Sequence, residues 1–158
     1  MDGKGKWIFF EETARTKIMK RHVLLGLALV ALFLIYLFQR ISYAALVNSI
    51  LPEVLEIRNA NAIFIFNRTI RLILNDSACM VIIWALFQQA KFLKAAFLVF
   101  LVELLIILPI YFIIKLSLEG DSELSSPFLS QIHRMIVNPL LMILLMIGFV
   151  YQKLNQQK

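Results

Sequence analysis

The sequence predicts an all-α integral membrane protein, a four-helix bundle with a short interfacial helical segment between spans one and two. Three observations carry this expectation. The 158-residue chain is 61% hydrophobic and 16% charged, against about 45–50% and about 25% in a soluble globular domain. Its mean hydropathy is +0.82. Its apolar residues also gather into four blocks, each near the ~20 residues that a membrane helix needs. One globular core has no room for such a surplus, so lipid is the expected solvent.

Residues 1–22 form a basic segment that holds Lys4, Lys6, Arg15, Lys17, Lys20 and Arg21, six of the sixteen basic residues in the chain. A nucleic-acid-binding module presents its basic face from a soluble fold. Here the cluster abuts an apolar run and reads as a juxtamembrane anchor to anionic lipid. The membrane domain is expected over residues 23–153, with spans at about 23–41, 68–87, 92–114 and 132–151, and a polar tail at 154–158. The first run is followed by three more and by no small-residue cleavage site, so it reads as a retained span rather than a leader.

Between spans one and two, Tyr43 to Leu51 is expected as a short interfacial helix, with a second interfacial turn near Ala62–Phe66. The turn at Gln88–Lys91 makes spans two and three an antiparallel hairpin. Residues 115–131, rich in turn formers such as Gly120, Ser125, Ser126 and Pro127, read as a solvated loop. An amino terminus on the cytoplasmic side puts ten basic residues inside and six outside, which the positive-inside rule favours, so both termini are expected in the cytoplasm.

That topology makes the polar residues within the spans informative. The apolar part of span two is too short to cross alone, so Asn75 and Asp76 must lie within the membrane. Arg68, Arg71, Asn75 and Cys79 follow at spacings of three, four and four, which places them on one helix face. Asp76 points about 100° away from Asn75. In span four, His133 and Arg134 stand at the mouth, with Asn138 one turn further. Pro139 is expected to kink that helix, since it removes a backbone donor and frees the carbonyl of Met135.

Each ionisable residue at the centre of a bilayer costs roughly 2.5–3.5 kcal/mol on insertion scales unless it pairs or snorkels. Arg68, Arg71, Asn75, Asp76, His133, Arg134 and Asn138 are therefore expected as a polar cluster of the outer leaflet. In it Asp76 pairs with an arginine, and the asparagines bond across spans two and four. Arg68, His133 and Arg134 have the plainer alternative of snorkelling to headgroups. Glu103, near the middle of span three, is left open among a polar partner, a bound proton and a contact with another protein.

Chemistry-bearing motifs are scarce. There is no HExxH, phosphate loop, GxSxG or zinc-spaced His/Cys cluster, so no metal or cofactor is expected. Asn67-Arg68-Thr69 and Asn75-Asp76-Ser77 match a glycosylation pattern but sit at or in the membrane. Met135, Met142 and Met146 read as packing. One catalytic arrangement remains: Cys79 as nucleophile, activated by Arg71 and His133 or Arg134. Against it stands the position of this single cysteine, about halfway through an apolar helix.

Two segments resemble a known family. Phe66 to Asn75 (FNRTIRLILN), followed by Ile82 to Phe87 (IIWALF), carries arginine, then asparagine, then an Ile-Ile-x-x-Leu-Phe run. His133-Arg134, Asn138-Pro139-Leu140 and the exit Phe149-Val-Tyr151-Gln152-Lys153 make up the second. These resemble the exosortase F system-associated membrane proteins of Bacteroidota and the similar exosortase X-associated proteins. The resemblance covers residues 60–153 and the first span. It implies a protein encoded beside an exosortase, a membrane transpeptidase-like enzyme that processes carboxy-terminal sorting signals at the outer face of the inner membrane.

The expected function is a non-catalytic accessory membrane protein of such a sorting and surface-export system, with membrane lipids and an exosortase-like membrane protein as partners and no nucleic acid. The alternatives are a membrane cysteine transpeptidase or protease using Cys79, and a small transporter or structural subunit in which Asp76 and Glu103 line a proton path.

Overall fold

The structure, a computed structural model, describes residues 3–50, 52, 56–118, 127, 131 and 138–156. Helix α1 (Gly3–Leu37) is one rod in which the basic segment continues without a break into the first span. No proline interrupts it, and Gly26 is tolerated in a long helix. Its apolar stretch Arg15–Leu37 is long enough to cross a membrane. The helix ends at Leu37 rather than Ile41. A turn follows, in which the Ile41 N–H donates to the Phe38 carbonyl at 3.0 Å, and Ser42 then caps the next helix by accepting from the Ala45 N–H.

Helix α2 (Tyr43–Asn48) is the expected short helix. It is tied to its neighbour by Asn67, whose Oδ1 accepts from the Ala44 N–H at 2.8 Å while its Nδ2 donates to Ser42 Oγ at 3.2 Å. Asn48 closes the segment beyond α2 by bonding both backbone groups of Ile57, each at 3.0 Å.

Helix α3 (Ala60–Phe87) starts eight residues earlier than expected. Ala62–Phe66 is its first turns, not a separate interfacial turn. The reason is local: Asn59 is an N-cap in extended conformation whose side chain accepts from the Asn61 and Ala62 N–H groups, and nothing between there and Arg68 breaks a helix. Its 28 residues extend about 42 Å, beyond the ~30 Å hydrocarbon core. Asn75 and Asp76 therefore stand near its middle.

At the far end of α3, Gln88 adopts φ 52°, a left-handed cap whose N–H returns to the Trp84 carbonyl. Arg21 of α1 donates to the Leu86 carbonyl at 2.8 Å, placing a cation at a helix carboxy terminus.

Only Gln88 and Gln89 separate α3 from α4 (Ala90–Val102). A π turn, Glu103–Ile107, follows, and then α5 (Leu108–Leu118). Together they make the second arm of the expected hairpin, and Ala90–Ser117 is long enough to cross. The π turn precedes Pro109, where the missing N–H and the ring's clash with the preceding turn disfavour a plain α ladder. The Leu108 N–H instead bonds five residues back, to the Glu103 carbonyl.

Helix α6 (Leu140–Asn155) is the fourth, apolar but only 16 residues long. Pro139 stands just outside it as the N-cap, so the proline marks the start of this helix rather than a kink inside one. Residues 132–137, which include His133, Arg134 and Met135, lie outside the described residues, as do 119–126 and 128–130 of the expected loop. Lys115, expected at the edge of that loop, is instead buried within α5.

The arms pack around α3. One core joins Cys79, Ile83, Phe87, Phe92, Ala96, Met142 and Phe149. At its end Phe87, Phe92 and Phe149 meet with ring centroids 4.6–5.7 Å apart. Lys91 lies 4.8 Å from the Phe92 ring centre and Lys153 5.9 Å from that of Phe87. Arg21, Lys91 and Lys153 thus gather at one end of the bundle. The outward faces of α1, α5 and α6, including Leu27, Phe33, Ile113, Leu144 and Ile147, are exposed and apolar, as lipid contact requires.

Phe149→Ala is expected to lower the unfolding free energy in detergent by about 3 kcal/mol, while Ile147→Ala, on the lipid face, changes it by less than about 0.5 kcal/mol. Equal losses would contradict the aromatic core.

Candidate functional site

Helix α3 sends its polar side chains to two sides. Arg71 and Asn75, one helical turn apart, face α1 and the start of α6, and both are 6% exposed. The Arg71 guanidinium donates through Nη2 to the Gln39 carbonyl, just past the end of α1. It also bonds the Tyr43 side chain on α2. Both partners are neutral, and the Arg71 Nε, fully buried, has no hydrogen-bond partner.

Beside this guanidinium lies a cavity of about 190 Å³. Gln39, Arg71, Asn75, Asn138 and Pro139 supply its polar rim and one end of its wall, and apolar residues of α1 supply much of the rest. The expected convergence of span two on span four is present for Arg71, Asn75 and Asn138. Asn138 is exposed where it lines the cavity.

Asp76 points the other way, to α4 and the π turn. It is 1% exposed and meets Glu103, 4% exposed, rather than an arginine. Arg71 does not pair with Asp76, because the two stand five residues apart on α3 and diverge by about 140° around it; a pair with Arg134 falls outside the described residues. No N–H or O–H donor reaches Asp76 Oδ2. The Glu103 carboxyl lies within hydrogen-bond reach of Asp76. An ionised carboxylate only accepts, so a bond between two carboxyls needs a proton on one of them. The pair stands one turn from Cys79, which is fully buried in the core.

Arg68 occupies a third environment, 5.4 Å over the Phe64 ring and near Tyr111. Tyr111 and Lys115, one turn apart on α5, are buried beside the packing of Phe64, Leu72 and Leu108. His133 and Arg134 lie outside the described residues, so the cluster stands here as Arg71, Asn75 and Asn138, with Asp76 on the opposite side and Arg68 toward α5.

Sequence reasoning missed three partners. Gln39 and Tyr43 gave no signal, because a glutamine at a helix end and an aromatic in an interfacial segment are ordinary there. The Asp76–Glu103 pairing did have one. Asp76 lies thirteen residues before Gln89 and Glu103 fourteen after it. In a tight hairpin, residues equidistant from the turn stand at one height. The same register matches Phe87 to Phe92, Leu72 to Leu108 and Arg68 to Tyr111.

The described residues hold no group of three His, Cys, Asp or Glu able to bind a metal ion. No protein-family model matches the chain, and no curated protein or solved structure matches it.

Asp76→Leu and Glu103→Leu are each expected to destabilise the protein, with a coupling energy of about 1 kcal/mol between them in a double-mutant cycle of detergent unfolding. Strictly additive losses would mean that the two carboxyls do not touch.

Proposed function

We propose that the chain is a non-catalytic accessory membrane protein of an exosortase-type protein sorting and surface-export system. In this reading it lies in a bacterial inner membrane with both termini in the cytoplasm. It works beside the sorting enzyme at the outer leaflet. One observation carries the reading: the two segments that hold the family resemblance, far apart in sequence, meet at one cavity through Arg71, Asn75, Asn138 and Pro139. A resemblance spread over lipid-facing positions would have no such convergence.

The enzymatic alternative fares worse on geometry. A thiol nucleophile needs access to substrate and a nearby cation to favour the thiolate. Cys79 has no exposed surface, and the charged groups that bear on it are the carboxyls of Asp76 and Glu103. That buried carboxyl pair favours a second reading, a small proton-coupled transporter, because intramembrane carboxyls commonly mark proton relays.

Complementation of a deletion strain, scored by cleavage of a substrate bearing a carboxy-terminal sorting signal, separates the three. Cys79→Ala is expected to sort normally. Asp76→Asn with Glu103→Gln is expected to sort normally too. Arg71→Lys and Arg134→Lys, at normal membrane levels, are expected to lose roughly tenfold or more, the worth of a charged hydrogen bond, because an ammonium cannot span two acceptors as a planar fork does. Lys17→Arg with Lys20→Arg is expected to be silent. Complete loss in Cys79→Ala at normal levels would favour the enzyme, and loss in the carboxyl double variant alone would favour the transporter.

Reporter fusions at Ser122 and after Lys158 are expected to report opposite sides of the membrane, with the carboxy terminus cytoplasmic. The same side for both would sink the four-span topology.

A further inference from the structure

The cavity beside Arg71 poses a problem of charge. A guanidinium removed from water costs several kcal/mol unless it is paired and its donors are met. Arg71 is nine-tenths buried, its described partners are the neutral oxygens of Gln39 and Tyr43, and its Nε meets no acceptor. Neither partner brings a negative charge.

A second feature points into the same space. Helix α6 begins at the cavity: Pro139, its N-cap, and Ile143 in its first turn both line it. The macrodipole makes that end of the helix attractive to anions, while the Leu140 N–H is already taken by the Asn138 carbonyl. Pro139 offers no side-chain cap. The side-chain amides of Asn75 and Asn138 line the same wall. A buried arginine whose described partners are neutral and two asparagine side chains thus line one space of about 190 Å³.

We propose that this cavity binds the phosphodiester headgroup of an anionic phospholipid, with Arg71 as the principal ligand to its phosphate. The proposal does not depend on a role in protein sorting. Size and lining select the occupant. The volume is below the roughly 300–1,000 Å³ of pockets that enclose a whole small molecule, so a headgroup fits and acyl chains do not. Leu32, Ile35 and Ile143 make the remaining wall apolar, which suits a glycerol backbone better than a hydrated free anion. Tyr36 of α1 and Ile143 of α6 are well exposed, so the cavity opens on the lipid-facing side between these helices, where acyl chains can lie. A basic pocket between membrane helices is an established form of headgroup site.

The test uses the full chain in neutral detergent. Native mass spectrometry measures retention of dioleoyl phosphatidylglycerol, with dioleoylglycerol as the phosphate-free probe and inorganic phosphate as the lipid-free one. The wild type is expected to retain phosphatidylglycerol and not dioleoylglycerol. Arg71→Gln is expected to weaken that retention about tenfold or more, while Arg40→Gln, at an exposed arginine outside the cavity, leaves it unchanged.

Ile143→Trp fills the cavity from an exposed position and keeps Arg71 in place, so it is expected to expel the lipid without disturbing the fold. It decides the matter if Arg71→Gln fails to fold. Retention by Ile143→Trp equal to the wild type would overturn the proposal, as would equal retention of dioleoylglycerol. Stabilisation by inorganic phosphate alone, matching that by the lipid and dependent on Arg71, would overturn the lipid assignment and leave a soluble anion as the occupant.

Discussion

Helix α3 has to carry an arginine, an asparagine and an aspartate through lipid, and the rest of the bundle is arranged around satisfying them. In a low-dielectric solvent an unmet polar group costs more than any single packing contact returns. Arg71 therefore fixes where α1 ends and where α2 begins, since it takes the Gln39 carbonyl and the Tyr43 side chain. Asp76 fixes the neighbour on another side, because the Glu103 carboxyl lies within its reach. With Arg71 and Asp76 turned to different sides of one helix, α3 has to be central. The apolar helices then fill what remains, with fully buried Cys79 and Met142 between them.

The contact between Asp76 and Glu103 is also a constraint on register. A two-residue link at Gln88 and Gln89 leaves almost no freedom to slide α4 along α3. Glu103 must then arrive opposite Asp76 whether or not the local backbone suits it. The π turn that begins at Glu103 lies between this contact and Pro109, six residues on. A widened turn absorbs the proline's missing donor and rotates the residues after it. This lets Leu108 and Tyr111 pack on Leu72 while Glu103 keeps its partner. Two demands that conflict in a regular α-helix are met by one irregular turn.

How much of this was legible in the sequence follows from which forces are local. Helicity and the four apolar blocks were, because hydropathy and the absence of breakers act residue by residue. The short helix after Ser42 and the hairpin at Gln88 were legible for the same reason. The start of α3 was misjudged because a cap such as Asn59 outweighs a modest apolar run of eight residues. Spacing puts Arg71 and Asn75 on one face, and matched depth sets Asn138 opposite them. The same spacing also groups Arg68 and Cys79 there, but these turn to Phe64 and Tyr111 and to the core. Opposite charge alone points Asp76 to an arginine, whereas the hairpin register about Gln88 and Gln89 brings Glu103 to its height. Charge alone puts Lys115 in the loop, yet α5 runs on to Leu118 and holds it buried with a partner. Gln39 was invisible because its contribution is a backbone carbonyl, and any residue type could have supplied it.

The two arginines that touch α1 show how position separates anchoring from specificity. Arg21 and Arg71 each donate to a backbone carbonyl, Leu86 at one end of the α1–α3 pair and Gln39 at the other. Between them α1 turns one face to lipid, with Ala28 its only buried hydrophobic residue among those described and Leu25, Ala31, Leu32 and Ile35 half-buried. Helix α1 packs along α3 through half-buried residues such as Leu32, and the two arginines fix its height against that helix. Arg21 works beside Lys91 and Lys153 where the chain meets headgroups, and a neighbouring cation can take over much of its electrostatic role. Arg71 has no such substitute, because it is buried, its fork is shared between two elements and it forms the wall of a cavity that α6 completes. A negative group in that cavity would bond α3 and the start of α6 at once. It would also be joined to the end of α1, because the same guanidinium donates to the Gln39 carbonyl.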